Sequence, residues 1–198
     1  MANADQAFGF KVVQNGFGGT PGRLNEYPLA TTYGTALGDG DMVTLLADGS
    51  VGLASASTFY IGVFKGVKYV ASDGSIVYRK NWIASTAEKS GTTITALVMD
   101  DPGAIYEVQA DTSTTQASVG QFADLVPSTV DANGNSTMSI VHGGSEDQFQ
   151  IVKVITTKPV RNAAGNQDMS TTGTFAIVHV RPIMHQLSGN TAQEVAEV

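Results

Sequence analysis

The chain has 198 residues, with 11 Lys and Arg against 18 Asp and Glu, for a formal charge of −7. That acidic balance argues against nucleic acid as a partner, because a phosphate-gripping surface needs a surplus of cations. The absence of cysteine removes disulfides, thiolate metal sites and cysteine nucleophiles together, while an apolar share of 42% is enough for a packed core.

From the N-terminus, Met1-Ala2-Asn3-Ala4-Asp5 has no basic stretch followed by an apolar one, so no secretory signal is expected and folding in a cytoplasm is. No apolar run approaches the ~20 residues of a membrane span. Phe8, Phe10 and Val12 alternate with Gly9, Lys11 and Val13, a short strand with one strongly apolar side. Such a terminal segment either adds to the exposed edge of a partner's sheet or forms an edge strand of its own sheet. Gly16, Gly18, Gly19, Gly22 and Gly34 then sit among Pro21 and Pro28, so residues 1–35 are expected to form an extended, glycine-rich arm.

The next segments have the periodicity of strands. Met42–Leu46 and Val51–Leu53 flank Asp48-Gly49, whose positive φ angles suit a tight hairpin. Val67–Val70 and Ile76–Arg79 flank Ser72-Asp73-Gly74-Ser75 and predict a second hairpin, with Tyr69 on the opposite face from Lys68 and Val70. Thr92–Met99 is a further strand, ended by Asp100-Asp101-Pro102-Gly103, and Ile105–Gln109 resumes it. Thr137–His142, Phe149–Thr156 and Phe175–Ile183 complete the set. In the last, Ala176, Val178 and Val180 share one face and Phe175, Ile177, His179 and Arg181 the other. Helix is expected only around Thr114–Ala123 and in the tail Thr191–Val198, and no internal repeat is visible. The fold predicted is mainly β, an antiparallel barrel or sandwich over 36–187 with one core, preceded by the arm and followed by a flexible tail at 188–198.

Chemistry is sparse. His142, His179 and His185 show no metal-ligating spacing. Asp39-Gly40-Asp41 and Asp131-Ala132-Asn133-Gly134-Asn135 resemble calcium loops, but the second has Ser136 at its sixth position and His142 at its twelfth, so Asx turns are expected instead. Gly16-Phe17-Gly18-Gly19 lacks the phase of a dinucleotide loop, and Gly143-Gly144-Ser145-Glu146-Asp147 is not a nucleophile elbow. Trp82 is expected as a core or interface anchor. No catalytic residue, metal or cofactor is assigned, and an enzyme is not expected.

Phe8-Gly9-Phe10-Lys11, Glu26-Tyr27, Gly40-Asp41-Met42-Val43, Ile61 to Tyr69, Trp82 with Ala84-Ser85-Thr86-Ala87, Asp100-Asp101-Pro102, Tyr106 to Asp111 and Gly120 to Leu125 together carry a resemblance to the capsid decoration, or cement, proteins of tailed bacteriophages. It covers most of residues 8 to 125 and is loose beyond Val126. It implies a β-rich virion protein, often a homotrimer in such families, that sits on the outer surface of the head and locks neighbouring major capsid subunits together; a homodimer is the alternative assembly, since symmetric dimers are common. With the arm reading, it points to Phe8, Phe10, Lys11 and Val12, and secondarily Glu26 and Tyr27, as the capsid contact, and to a fold that survives removal of the residues before Gly16. Once one arm of a trimer is docked, the others act at an effective concentration of roughly millimolar. A glycan- or cell-binding module, such as a head fibre or adhesin, and a tail-tube subunit are the rival readings.

Overall fold

The computed structural model describes residues 3–14, 19, 23–156, 158–161 and 167–188. The protein is mainly β and largely antiparallel, as the periodicity predicts, and is built on two six-stranded sheets. The strands are β1 (Lys11–Gln14), β2 (Asn25–Leu29), β3 (Met42–Leu45), β4 (Val51–Leu53), β5 (Gly62–Val70), β6 (Ile76–Arg79) and β7 (Ile94–Met99). They continue as β8 (Ile105–Gln109), β9 (Phe122–Val126), β10 (Ser139–His142), β11 (Phe149–Ile155), β12 (Pro159–Arg161), β13 (Gln167–Met169) and β14 (Ile177–Pro182). In place of the helix expected around Thr114–Ala123 there is one 3-10 turn, Gln116–Ser118. The tail helix expected at 191–198 lies outside the described residues.

Each sheet curls until one end strand meets the strand next to its other end. In the first, the order is β3-β4-β2-β7-β5-β6, and β3 also pairs with β5 through Met42↔Val63 and Val43↔Gly62. Five strands therefore close into a ring, β2-β4-β3-β5-β7, with β6 attached outside it along β5. In the second, the order is β1-β8-β14-β11-β9-β10. A parallel bridge, Ala110↔Ile140, joins the end of β8 to β10, and the Asp111 N–H donates to the Ile140 carbonyl at 2.8 Å. That closes a second ring, β8-β10-β9-β11-β14, with β1 outside it along β8.

The two rings repeat one path. In each, the first strand lies parallel to the third and antiparallel to the fifth, the second pairs with the third and fourth, and the fourth pairs with the fifth. Extra strands enter both rings at the same point, between the fourth and fifth: β6 in the first and the separate β12–β13 ladder in the second. No repeat is visible in the sequence, yet the topology is duplicated.

There are two cores, not the single one expected. Leu29, Val43, Phe64, Trp82, Ile94 and Val98 fill the first ring, where Trp82 is the anchor that its type predicts. Tyr106, Leu125, Ile140, Phe149, Ile151 and Val178 fill the second. Phe10, Met42, Ala54, Tyr60 and Val63 come from outside the second ring and pack into that second core, joining the halves.

Candidate interaction surfaces

The N-terminal segment is folded against its own chain. Asn3 is buried, its side-chain amide donating to the Thr171 carbonyl at 2.9 Å. Gln109 brackets the following residues, accepting from the Gln6 N–H at 3.0 Å and donating to the Ala4 carbonyl at 2.9 Å. The Gly9 N–H then donates to Met138 and the Phe10 N–H to Gly40, so the segment is stitched to both rings. Gly9 has φ of 70° and a Cβ there would lie 2.4 Å from Ser136 Cβ, so only glycine fits this passage. β1 then pairs with β8, with a bulge at Val13.

This placement corrects the reading of the arm as a free grip. Phe10 has no exposed surface; its ring stacks on Phe149 at 5.1 Å and meets Tyr106 edge-on at 6.1 Å. Val12 packs against the same core. Phe8 is half-buried beneath the Lys11 ammonium, 4.4 Å from its ring centre. Only Lys11, Val13 and Gln14 are exposed along β1. The physical reason is that a buried aromatic slot existed at home, and the alternation of residues 8–13 does not say whose slot is filled.

Glu26 and Tyr27 lie in the other ring, so the six nominated residues do not converge. β2 is an inner ring strand rather than part of an arm. Glu26 is exposed on its outer face. Tyr27 faces the other way, its hydroxyl donating to Asp100, whose carboxylate also accepts from Asn25 Nδ2 at 2.8 Å. Burial, followed by the hydrogen bond to Asp100 and the nearby charge, pushes the Tyr27 hydroxyl well above its usual range.

The two calcium-like turns do come together, joined by an Asp39↔Asn135 bridge; Asp41 Oδ2 accepts from the Gly38 N–H at 2.6 Å, while the buried Asp41 Oδ1 has no hydrogen-bond partner among the described residues. Asp131 accepts from the Asn133 and Asn135 N–H groups at 2.9 and 2.7 Å, an Asx turn as expected, and Asp39 pairs with Lys65. Gly143–Asp147 wraps the buried Asp124 carboxylate, which accepts from the Glu146 and Asp147 N–H groups. His142 contacts Gln121 and His179 lies 3.5 Å from Glu107. Burial works against charge on Glu107, but the hydrogen bonds and charges of His179 and Lys158 outweigh it and hold the carboxyl below its usual range.

A second surface was not picked out by the sequence. β6 flanks β5, and its Ile76 and Tyr78 are the most exposed large apolar side chains among the described residues, at 65% and 66%. They share the outer face of the ring with Lys68 and, across β7, with Glu26. The hairpin was legible, but Tyr69 went in and Tyr78 out, and only the closure of the ring decides which.

Comparison with protein families, curated proteins and solved structures gives no match to this chain.

Proposed function

We propose that the chain is a structural virion protein of a tailed phage, assembled in the host cytoplasm, that coats the outer surface of the head and clamps neighbouring major capsid subunits. The observation that carries this reading is the free edge of β1. Ring closure leaves few open backbone edges, since strands paired on both sides have nothing further to offer. Among the described residues β1 pairs with β8 alone; it is exposed at Lys11, Val13 and Gln14, and belongs to the segment on which the family resemblance begins. A capsid strand added there gains main-chain hydrogen bonds, with Val13 and Lys11 supplying side-chain contacts. The grip is thus an edge presented by a docked strand. In a homotrimer three such edges act together, each raising the effective concentration of the others to roughly millimolar. A charge of −7 keeps the coat from competing for the genome.

The test mixes the purified protein with expanded, undecorated heads assembled from the major capsid protein of the same phage, followed by electron microscopy. Regular added density on the outer surface is expected, and light scattering should give three copies per particle in solution. Val13 sits in the bulge with no partner in β8, so Val13→Pro should leave the melting temperature near that of the parent and sharply reduce occupancy. Bare heads at saturating protein would overturn the reading.

A further inference from the structure

We infer that the outer edge of β6 is a second docking site, one that takes an extended, acidic peptide segment of a partner protein as an added strand. β6 stands outside the ring and is hydrogen-bonded to β5, through Val67↔Arg79 to Val70↔Ile76. No strand pairs with its other side among the described residues.

Two features set this edge apart from an ordinary terminal strand. The first is its exposed apolar pair. Edge strands usually carry charge or proline on the exposed face, because apolar side chains beside an open backbone edge invite pairing. Here Ile76 and Tyr78, two residues apart and so on one face, are about two-thirds exposed. An added strand would set its alternate side chains directly beside them.

The second is charge. Five of the eleven Lys and Arg, but only two of the eighteen Asp and Glu, fall between Lys65 and Lys89. Lys65 is committed to Asp39. Lys68 lies across from Tyr78, its ammonium 5.9 Å from the ring centre. Arg79 and Lys80 close the strand, with Lys80 Nζ donating to Asn135 Oδ1 at 2.8 Å. In a chain of net charge −7 this is a local basic border. It repels basic strands and leaves the edge selective for acidic ones. The occupant is therefore a β-competent segment with acidic residues and apolar residues at alternate positions. The acidic segment would come from a different protein, and when this chain is on a phage head the capsid subunit is the partner that the proposed function supplies.

The probe is a fluorescein-labelled, end-blocked peptide of three Glu-Val repeats, with the Lys-Val counterpart as its control. Added to the full chain, the Glu-Val peptide should show saturable anisotropy that weakens with salt, and should slow amide exchange at Ile76–Lys80. Ile76→Thr with Tyr78→Thr, and separately Arg79→Glu with Lys80→Glu, alter exposed positions and should keep the parent melting temperature. Each pair should weaken binding about tenfold. Equal binding of the Lys-Val peptide, protection that maps to β1, unchanged affinity in both double variants, or no saturation at millimolar peptide would each overturn the inference. Peptide binding with bare heads removes the capsid reading alone. Decorated heads without peptide binding remove this inference alone.

Discussion

Phe10 shows how one side chain settles a question that the pattern around it leaves open. An aromatic alternation near a chain terminus fits a partner's sheet and the chain's own sheet equally well. Full burial against Phe149 and Tyr106 assigns it to the second core. Phe10→Ala should therefore cost about 3–5 kcal/mol of stability in denaturant unfolding, as expected for an emptied aromatic site. Phe8→Ala, at a half-buried position, should cost clearly less. Equal losses would place Phe10 outside the core. By the same argument, removing the residues before Gly16 takes out Phe10 and the stitches at Gly9, so the truncated chain should be destabilised. Loss of decoration in that truncation would then report unfolding, and the Val13 variant is the cleaner probe of the edge.

Among the elements, those specified by local chemistry were legible. Both hairpins turn on the same device: Asp48 accepts from the N–H and hydroxyl of Ser50 at 2.9 and 2.7 Å, and Asp73 from those of Ser75 at 2.8 and 2.7 Å. The strands at Ser139–His142, Phe149–Ile155 and Ile177–Pro182 fall within the apolar alternations that predict them. β2 was hidden. Pro28 and the neighbouring glycines punctuate it as irregular, but Pro28 pairs with Thr95 on one side only, and β4 meets β2 just at Leu29. A missing N–H costs little where no second ladder needs it. The attachment of β6 depends on another local detail. Gly66 lies at a bulge with φ of 155°, and a Cβ there would approach the Arg79 carbonyl oxygen to 2.8 Å. Gly66→Ala should push β6 away from β5, destabilise the protein by about 1–3 kcal/mol and speed amide exchange at Val77–Lys80. Unchanged exchange there would show that β6 does not need the close approach. The surface formed by Ile76 and Tyr78 was illegible for a related reason: period-two patterning gives two faces, and ring closure chooses between them.

At the scale of the whole molecule, what the two rings share is a path, and a path leaves little trace in sequence when closure relies on backbone pairings such as Met42↔Val63 and Ala110↔Ile140. The halves are then held by a seam, and the seam contains a titratable group. The Tyr60 N–H donates to the Met184 carbonyl and the Gln186 N–H to the Tyr60 carbonyl, which brings the His185 ring edge-on to Tyr60 at 5.9 Å. His185 Nδ1 accepts from the Leu187 N–H at 3.1 Å, so the neutral ring carries its proton on Nε2, a buried atom with no hydrogen-bond partner. Burial lowers the His185 pKa, with the charges of Asp100 and Asp101 acting in the opposite sense. A histidine kept neutral in the folded state contributes stability that is complete above its ordinary value of 6.5 and is lost as pH falls below it, because the unfolded chain takes up the proton first. Burial acts on Asp41 in the other direction, raising its pKa, so its contribution is complete below the ordinary carboxylate range and is lost as pH rises through the raised value. Acidification from about pH 7.5 to about pH 5.5 should therefore lower the melting temperature through His185. His185→Phe keeps the ring contact with Tyr60 and removes the proton site, so it should flatten that dependence even if its absolute stability is lower. Parallel pH profiles for the parent and this variant would mean that the acid sensitivity lies elsewhere and that the seam is held without regard to the charge on His185.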